Sequence, residues 1–290
     1  SGIAWLGLAR VQRLLGKNIE ASETLTRARR LLPAEDPSAA AESALLCLDM
    51  GDLEGATQHI DAASIRGDGA IVSYVRGNIA ANQGHLKTAL TYFDEAIETD
   101  PTHVRARLNR TSIHMAVENA QGALDDANVL LELAPGLVLA KLRRAEANMM
   151  LSNWEQAKDD LEQIVEEAPH HHHALTQLAS CFMAMDRPEK AEAPLNEALR
   201  LAPEHTEAWH QRGLLYLDWA REEAALNDFE AAVRCDGSHL GARLHIAAIH
   251  HKAERFDQAS AAWSGVLAIE PDHTVARKRR EECEVALATI

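Results

Sequence analysis

A chain of 290 residues, 47% apolar and 25% charged, has ordinary globular proportions, which excludes disordered and collagen-like classes. Only 4% of it is aromatic, low for a sandwich or barrel, and 15 Gly with 9 Pro are too few to break it into many short strands. With 29 Lys and Arg against 44 Asp and Glu the formal charge is −15, so a phosphate backbone is repelled and no nucleic-acid partner is expected. No apolar run approaches the roughly 18 residues of a membrane span, as 137–140 stopping at Lys141 illustrates, so no membrane insertion is expected. The apolar start, 1–8, has no basic segment before it and does not read as a signal peptide; the missing initiator Met suggests an excised or processed piece. Cys47, Cys181, Cys235 and Cys283 are far apart with no CxxC pairing. They read as small buried hydrophobes, a slight pointer to a reducing, cytoplasmic setting that leaves a periplasmic one open.

Taken in chain order, the sequence repeats itself. A first unit, about 2–36, carries Ala9, Gly16, Ala21, Leu25 and Pro33. A second, 37–69, carries Ala44, Gly51, Ala56 and Ile60 at the matching places one residue late, which asks for a slightly longer loop near Ala34, and Gly67 on the 34-residue step from Pro33. The third, 70–103, has Gly77, Gly84, Ala89, Phe93 and Pro101. The fourth, 104–137, has Thr111, Ala123, Ala127 and Pro135, and the fifth, 138–171, has Ala145, Ala157, Leu161 and Pro169. The sixth, 172–205, has Ala179, Ala191, Leu195 and Pro203. The seventh, 206–239, has Gly213, Ala225, Phe229 and Gly237, and the eighth, 240–273, has Ala247, Ala259, Trp263 and Pro271. A last segment, 274–290, sets Ala276, Cys283, Leu287 and Ile290 on one stripe, as a polar-faced capping helix would.

Each track has a physical reading. Small residues on two helices let their backbones approach, a larger one plugs the space between neighbours, and Pro or Gly ends the second helix. Apolar residues at helical spacing, as in Trp209, Leu214, Leu215 and Leu217, make each unit two short antiparallel helices. Gly16, Gly51 and Gly84 mark the turn between them. Pro188 suits the start of a second helix, whereas Pro194 falls inside it and should kink it. The first helix is apolar nearly all round, with Ile3, Trp5, Leu6, Leu8, Val11, Leu14 and Leu15. A further repeat, another domain or a second molecule is therefore expected to cover Trp5 or Leu6.

These residues resemble the tetratricopeptide repeat family. The seventh unit matches best, with Trp209, Gly213, Tyr216, Ala225, Phe229 and Ala232 in the family's signature places. Arg212 departs there, and Arg110 and Arg144 depart at the same place in the fourth and fifth units, which puts local packing in question. The resemblance implies an all-α right-handed superhelical solenoid of eight repeats over 1–273, with a cap over 274–290. It also implies that the first helices line a concave face. By that register Tyr74, Asn78, Arg105, Asn109, Arg143 and Glu146 face a groove in units three to five, and Gln177, His210, Gln211 and His245 in units six to eight. One position alone reads Asn109, Arg143, Gln177, Gln211, His245, Arg279, a polar ladder able to hydrogen-bond an extended peptide. Family members that hold a partner's C-terminal carboxylate use a Lys, Asn, Asn, Lys, Arg clamp. Asn78, Asn109 and Arg143 match it, Tyr74 and Leu139 occupy the Lys positions, and Arg105 could substitute in part.

No catalytic motif is present: no GxSxG, HExxH, P-loop or GxGxxG opening a βαβ unit, so no enzyme and no cofactor are expected. His103, His171, His205, His239 and His273 recur once per repeat and read as loop and cap residues too far apart to share a metal. The histidine run 170–173 could hold a transition metal only loosely, and no native metal is expected. Arg277, Lys278, Arg279 and Arg280, followed by Glu281, Glu282 and Glu284, read as a salt-bridged solvated face. The expectation is a non-catalytic scaffold binding a protein or peptide, through a C-terminal carboxylate or an acidic segment. The alternatives are a substrate-recruiting arm of a larger enzyme, or a periplasmic scaffold for secretion or exopolysaccharide export.

Overall fold

The computed structural model describes residues 1–33, 36–63 and 69–289. Ala34, Gly67 and Ile290, used above, lie outside the described residues. Among the described residues there are seventeen α-helices and no strand. The chain forms two compact units, Ser1–Leu151 and Ser152–Ile290.

The first unit holds α1 (Gly2–Leu14), α2 (Asn18–Leu31), α3 (Pro37–Asp49) and α4 (Leu53–Ala63). It continues with α5 (Ala70–Asn82), α6 (Leu86–Thr99), α7 (Val104–Ala116), α8 (Ala120–Leu133) and α9 (Val138–Met150). Each helix packs on the next in sequence, and odd-numbered helices also touch the next odd one, so the unit grows by adding helix pairs. The small and large tracks are its core: Ala44, Ile60, Gly77, Ala89 and Phe93 are buried together.

The second unit holds α10 (Trp154–Glu167), α11 (His172–Ala184), α12 (Glu192–Leu201) and α13 (Thr206–Asp218). It ends with α14 (Glu222–Cys235), α15 (Leu240–Lys252), α16 (Phe256–Ile269) and α17 (Thr274–Ala288). Here too each helix packs on the next in sequence, and α11 also touches α13 and α15 touches α17, with Ala225 and Phe229 in one core cluster and Ala247, Ala259 and Trp263 in the next. The last helix buries Ala276 and Cys283, and its outer charges pair: Arg279 with Glu282 at 2.9 Å, Arg280 with Glu284 at 3.3 Å.

Small and large residues are matched sixteen residues apart. A Cβ built on Gly77 would stand 2.5 Å from Phe93 Cε1, and one on Gly213 would stand 2.7 Å from Phe229 Cε1. Glycine is therefore required where the plug is Phe. At the same spacing the Leu plugs, Leu161 and Leu195, are matched by Ala145 and Ala179, and the small plug Ala127 by Thr111.

The turn inside each pair repeats one backbone state. Gly16, Gly51 and Gly84 have φ of 72°, 77° and 77°. Glu118, Ser152, Asp186, Ala220 and Glu254, at the same place in later pairs, have φ between 55° and 59°. The next amide closes the turn onto a carbonyl five residues back, as Asn119 N–H does to His114 O at 2.8 Å. The sequence shows the three glycines but not that five residues with a Cβ take the same left-handed conformation.

Four expectations need correction. Pro194 does not sit inside a helix. Pro188–Lys190 forms a 3-10 turn and α12 starts at Glu192, so Pro194 lies in the first turn, where its missing N–H breaks no helical bond. Leu6 is covered by its own chain, in a cluster with Ala9, Leu25 and Leu46, and Arg27 lies over the Trp5 ring. The large apolar residues of α1 left exposed are others, Ile3 at 73% and Leu14 at 59% foremost. Of the cysteines, Cys181 and Cys283 are buried, Cys47 is half-buried and Cys235 is exposed. Burial pushes the Cys181 thiol up to about 11. Finally, the arginines that replace Leu do not loosen the packing. Arg110 forks onto Asp126 and reaches back to Asp94, and Arg212 forks onto Asp228 and reaches back to Asn196. Each arginine ties its own pair to the preceding one, sixteen residues either way.

Candidate functional site

In the first unit the polar face is built by α5, α7 and α9. Their apolar stripes are turned into the core, so residues at the ladder position are left half-buried at its edge. Asn109 Nδ2 donates to Asn78 Oδ1 at 2.5 Å, joining α7 to α5 in one amide rung. The rung uses one donor and one acceptor, so Asn78 Nδ2 and Asn109 Oδ1 take no part in it. Arg105, half-buried on α7, forms no ion pair among the described residues. Arg143 is different: its Nη1 is 2.7 Å from Glu146 Oε2, an i,i+3 pair on α9 that neutralises it. Tyr74 is not a groove wall. It is 7% exposed, with its ring 4.9 Å from that of His103 and 6.3 Å from that of Phe93. Leu139, in a clamp-lysine position, is exposed.

In the second unit α11, α13 and α15 carry the corresponding face. Gln177 Nε2 lies 3.2 Å from His173 Nε2, and Gln211 Nε2 donates to Glu207 Oε1 at 2.6 Å. His245 stacks on Phe229 with centroids 4.7 Å apart and planes 15° apart. His210 lies 5.7 Å from Phe229, 4.7 Å from His239 and 5.7 Å from His245, centroid to centroid. Burial, with His239 and His245 close by, pushes the His210 imidazole down to about 4 against the opposing pull of Glu207, so it is neutral at pH 7.

The periodic histidines cap helices. Nδ1 of His103, His171, His239 and His273 accepts the N–H of the residue three places on, at 3.0–3.1 Å. This satisfies one orphan amide of α7, α11, α15 and α17. His205 makes no such bond to α13. By spacing these residues fall at helix starts, but spacing does not show that His210, on the preceding helix pair, reaches the ring of His239. Ligand atoms of Glu207, His210 and His239 all lie within 4.8 Å of one another. No helix among the described residues is long and apolar enough to cross a membrane.

Comparison with known proteins agrees with the geometry. Tetratricopeptide-repeat family models match residues 74–138, 148–213 and 206–239, more than half of the chain together. No curated protein matches. Among solved structures, the Cut9–Hcn1 hetero-tetramer of the APC/C gives a TM-score of 0.71 at 15% identity, covering 96% of this chain and 55% of that one. A tetratricopeptide repeat protein from Parabacteroides merdae gives 0.59 at 18%, covering 86% and 98%. MamA from Desulfovibrio magneticus RS-1 gives 0.54 at 19%, covering 60% and 98%. At these identities the structures speak for the fold alone. Helix pairs on a 34-residue period, small residues opposite their plugs and the matching family models make this chain a tetratricopeptide-repeat protein, of a family whose members are interaction scaffolds.

Proposed function

We propose that the chain is a non-catalytic scaffold that binds an extended peptide segment along the polar faces of its first helices. The supporting observation is the Asn78–Asn109 rung on the helix that carries Arg105: half-spent amides and a cation that no carboxylate among the described residues neutralises. Such a set suits an acidic segment or a terminal carboxylate, because amides take a peptide backbone and a guanidinium takes two carboxylate oxygens at once. Arg143 enters this reading as a positioning residue, since its Nη1 is already held by Glu146. Within the second unit the groove positions are Gln177, His210, Gln211 and His245, a polar set of the same kind.

The probe is a fluorescent acidic peptide ending in a free carboxylate, with its amidated twin, titrated by anisotropy. Arg105→Ala should weaken binding by about 2–5 kcal/mol, the cost of truncating one side of a charged hydrogen-bonded pair. Arg143→Ala should cost less, and thermal melts should be unchanged for both. Equal affinities for wild type and Arg105→Ala refute the carboxylate reading. Loss for Arg105→Ala with no difference between the two peptides moves recognition from the terminus to acidic side chains.

A further inference from the structure

We propose that Glu207, His210 and His239 form a binding site for a divalent transition-metal ion of the Zn2+ class. The site is independent of the peptide reading above. Glu207 and His210 are three residues apart on α13 and share a face, and His239 caps α15 directly opposite, with its Nε2 3.9 Å from Glu207 Oε2. Ligand atoms of all three lie within 4.8 Å of one another, close enough for small side-chain rotations to place them on one ion. Two imidazoles and a carboxylate select Zn2+, Co2+, Ni2+ or Cu2+ over the oxygen-seeking Mg2+ and Ca2+.

Two further observations point to a ligand. Both ring nitrogens of His210 are buried, and neither has a hydrogen-bond partner. A buried imidazole with an idle lone pair and an idle N–H is costly, and coordination gives the lone pair a partner. The second observation is Gly241. A Cβ there would stand 3.2 Å from His210 Nε2 and 3.5 Å from His239 Cε1. The matching positions of neighbouring repeats hold His173, Glu207 and Val275, so the approach between the two rings is open at this repeat and not beside it.

Proton bookkeeping fixes what binding does to His239. Its Nδ1 accepts the Ala242 N–H at 3.0 Å, so Nε2 carries the proton. Coordination through Nε2 moves that proton to Nδ1 and gives up the cap bond. Metal binding is thus coupled to the first turn of α15. Three protein ligands leave the fourth tetrahedral position to solvent.

The test uses the full chain with His170→Ser and His172→Ser as parent, which removes the exposed histidines able to bind metal loosely. Zn2+ is titrated by calorimetry at neutral pH. The parent should take up one ion per chain, and His210→Ala should weaken it by about tenfold or more. Gly241→Ala keeps every ligand and replaces a helical glycine, so its metal-free melting temperature should hold or rise while Zn2+ affinity falls about as far. A parent that takes up no Zn2+, or an affinity that His210→Ala leaves unchanged, overturns the assignment.

Discussion

The pairing of a small residue with a plug sixteen residues later can be tested at Gly77 and Phe93. Phe93 is fully buried, and a Cβ on Gly77 would lie 2.5, 2.7 and 3.0 Å from its Cε1, Cδ1 and Cζ. These approaches are far inside van der Waals contact, so Gly77→Ala must displace the ring or the helix, at about 1–3 kcal/mol. Helix propensity opposes this by about 1 kcal/mol, because Gly77 lies within α5. The single variant should therefore lose up to about 2 kcal/mol. Phe93→Leu alone leaves a cavity and should cost about 1–3 kcal/mol. The double variant recreates the Ala and Leu pair that Ala179 and Leu195 already form in the sixth repeat. Its added methyl fills the space the ring vacated, so it should be more stable than the sum of the singles by about 1–3 kcal/mol. The assay is equilibrium urea unfolding of the four proteins followed by far-UV circular dichroism, with equal m-values as the condition for comparison. Additivity within about 0.5 kcal/mol would refute the size-matching argument, because contacting residues that compete for one volume cannot act independently.

Ala220→Gly should stabilise the chain by about 1 kcal/mol, since φ of 56° strains any residue with a Cβ; an unchanged or lower unfolding midpoint counts against this. Arg212→Ala should cost about 3–5 kcal/mol by stranding the buried Asp228 carboxylate, whereas Arg212→Leu with Asp228→Ala should come close to wild type; equal losses in urea unfolding would contradict it. Acid should weaken the first unit through His103. Burial holds its pKa below the ordinary value, with Asp100 pulling it up and Arg105 pushing it down. Above about pH 6.5 folded and unfolded chains both hold it neutral; below that the unfolded chain takes up a proton that the folded one resists, so stability falls as pH drops. His103→Asn keeps a capping acceptor without a titrating ring, so it should flatten the pH dependence of the melting temperature between pH 7.5 and 5; an identical slope would exclude His103 as its source.

The sequence by itself determined the repeat, the helix pairs and the core tracks. Those depend on spacing alone: Ala89 and Phe93 are one helical turn apart wherever the helix lies, and a Pro or Gly every 34 residues ends each pair. It could not show which polar groups would meet, because partners such as Arg212 and Asn196, or His210 and His239, come from different helix pairs and their meeting depends on how one pair is set against the next. Arg143, which reads as a bare clamp cation, is held by Glu146 one turn away on the same helix, a local pair that the i,i+3 spacing already allows, while Arg105 has no ion-pair partner among the described residues. Tyr74 likewise reads as a groove wall by position, yet its ring is drawn into the core because Gly77 leaves Phe93 room to sit beside it. Pro194 shows the limit from the other side: a local rule forbids it inside a helix, and the backbone obeys by starting α12 later. Period and the pairs within one helix are local properties and are written in the chain, whereas contacts between helix pairs, charged or aromatic, are decided only when the pairs stack.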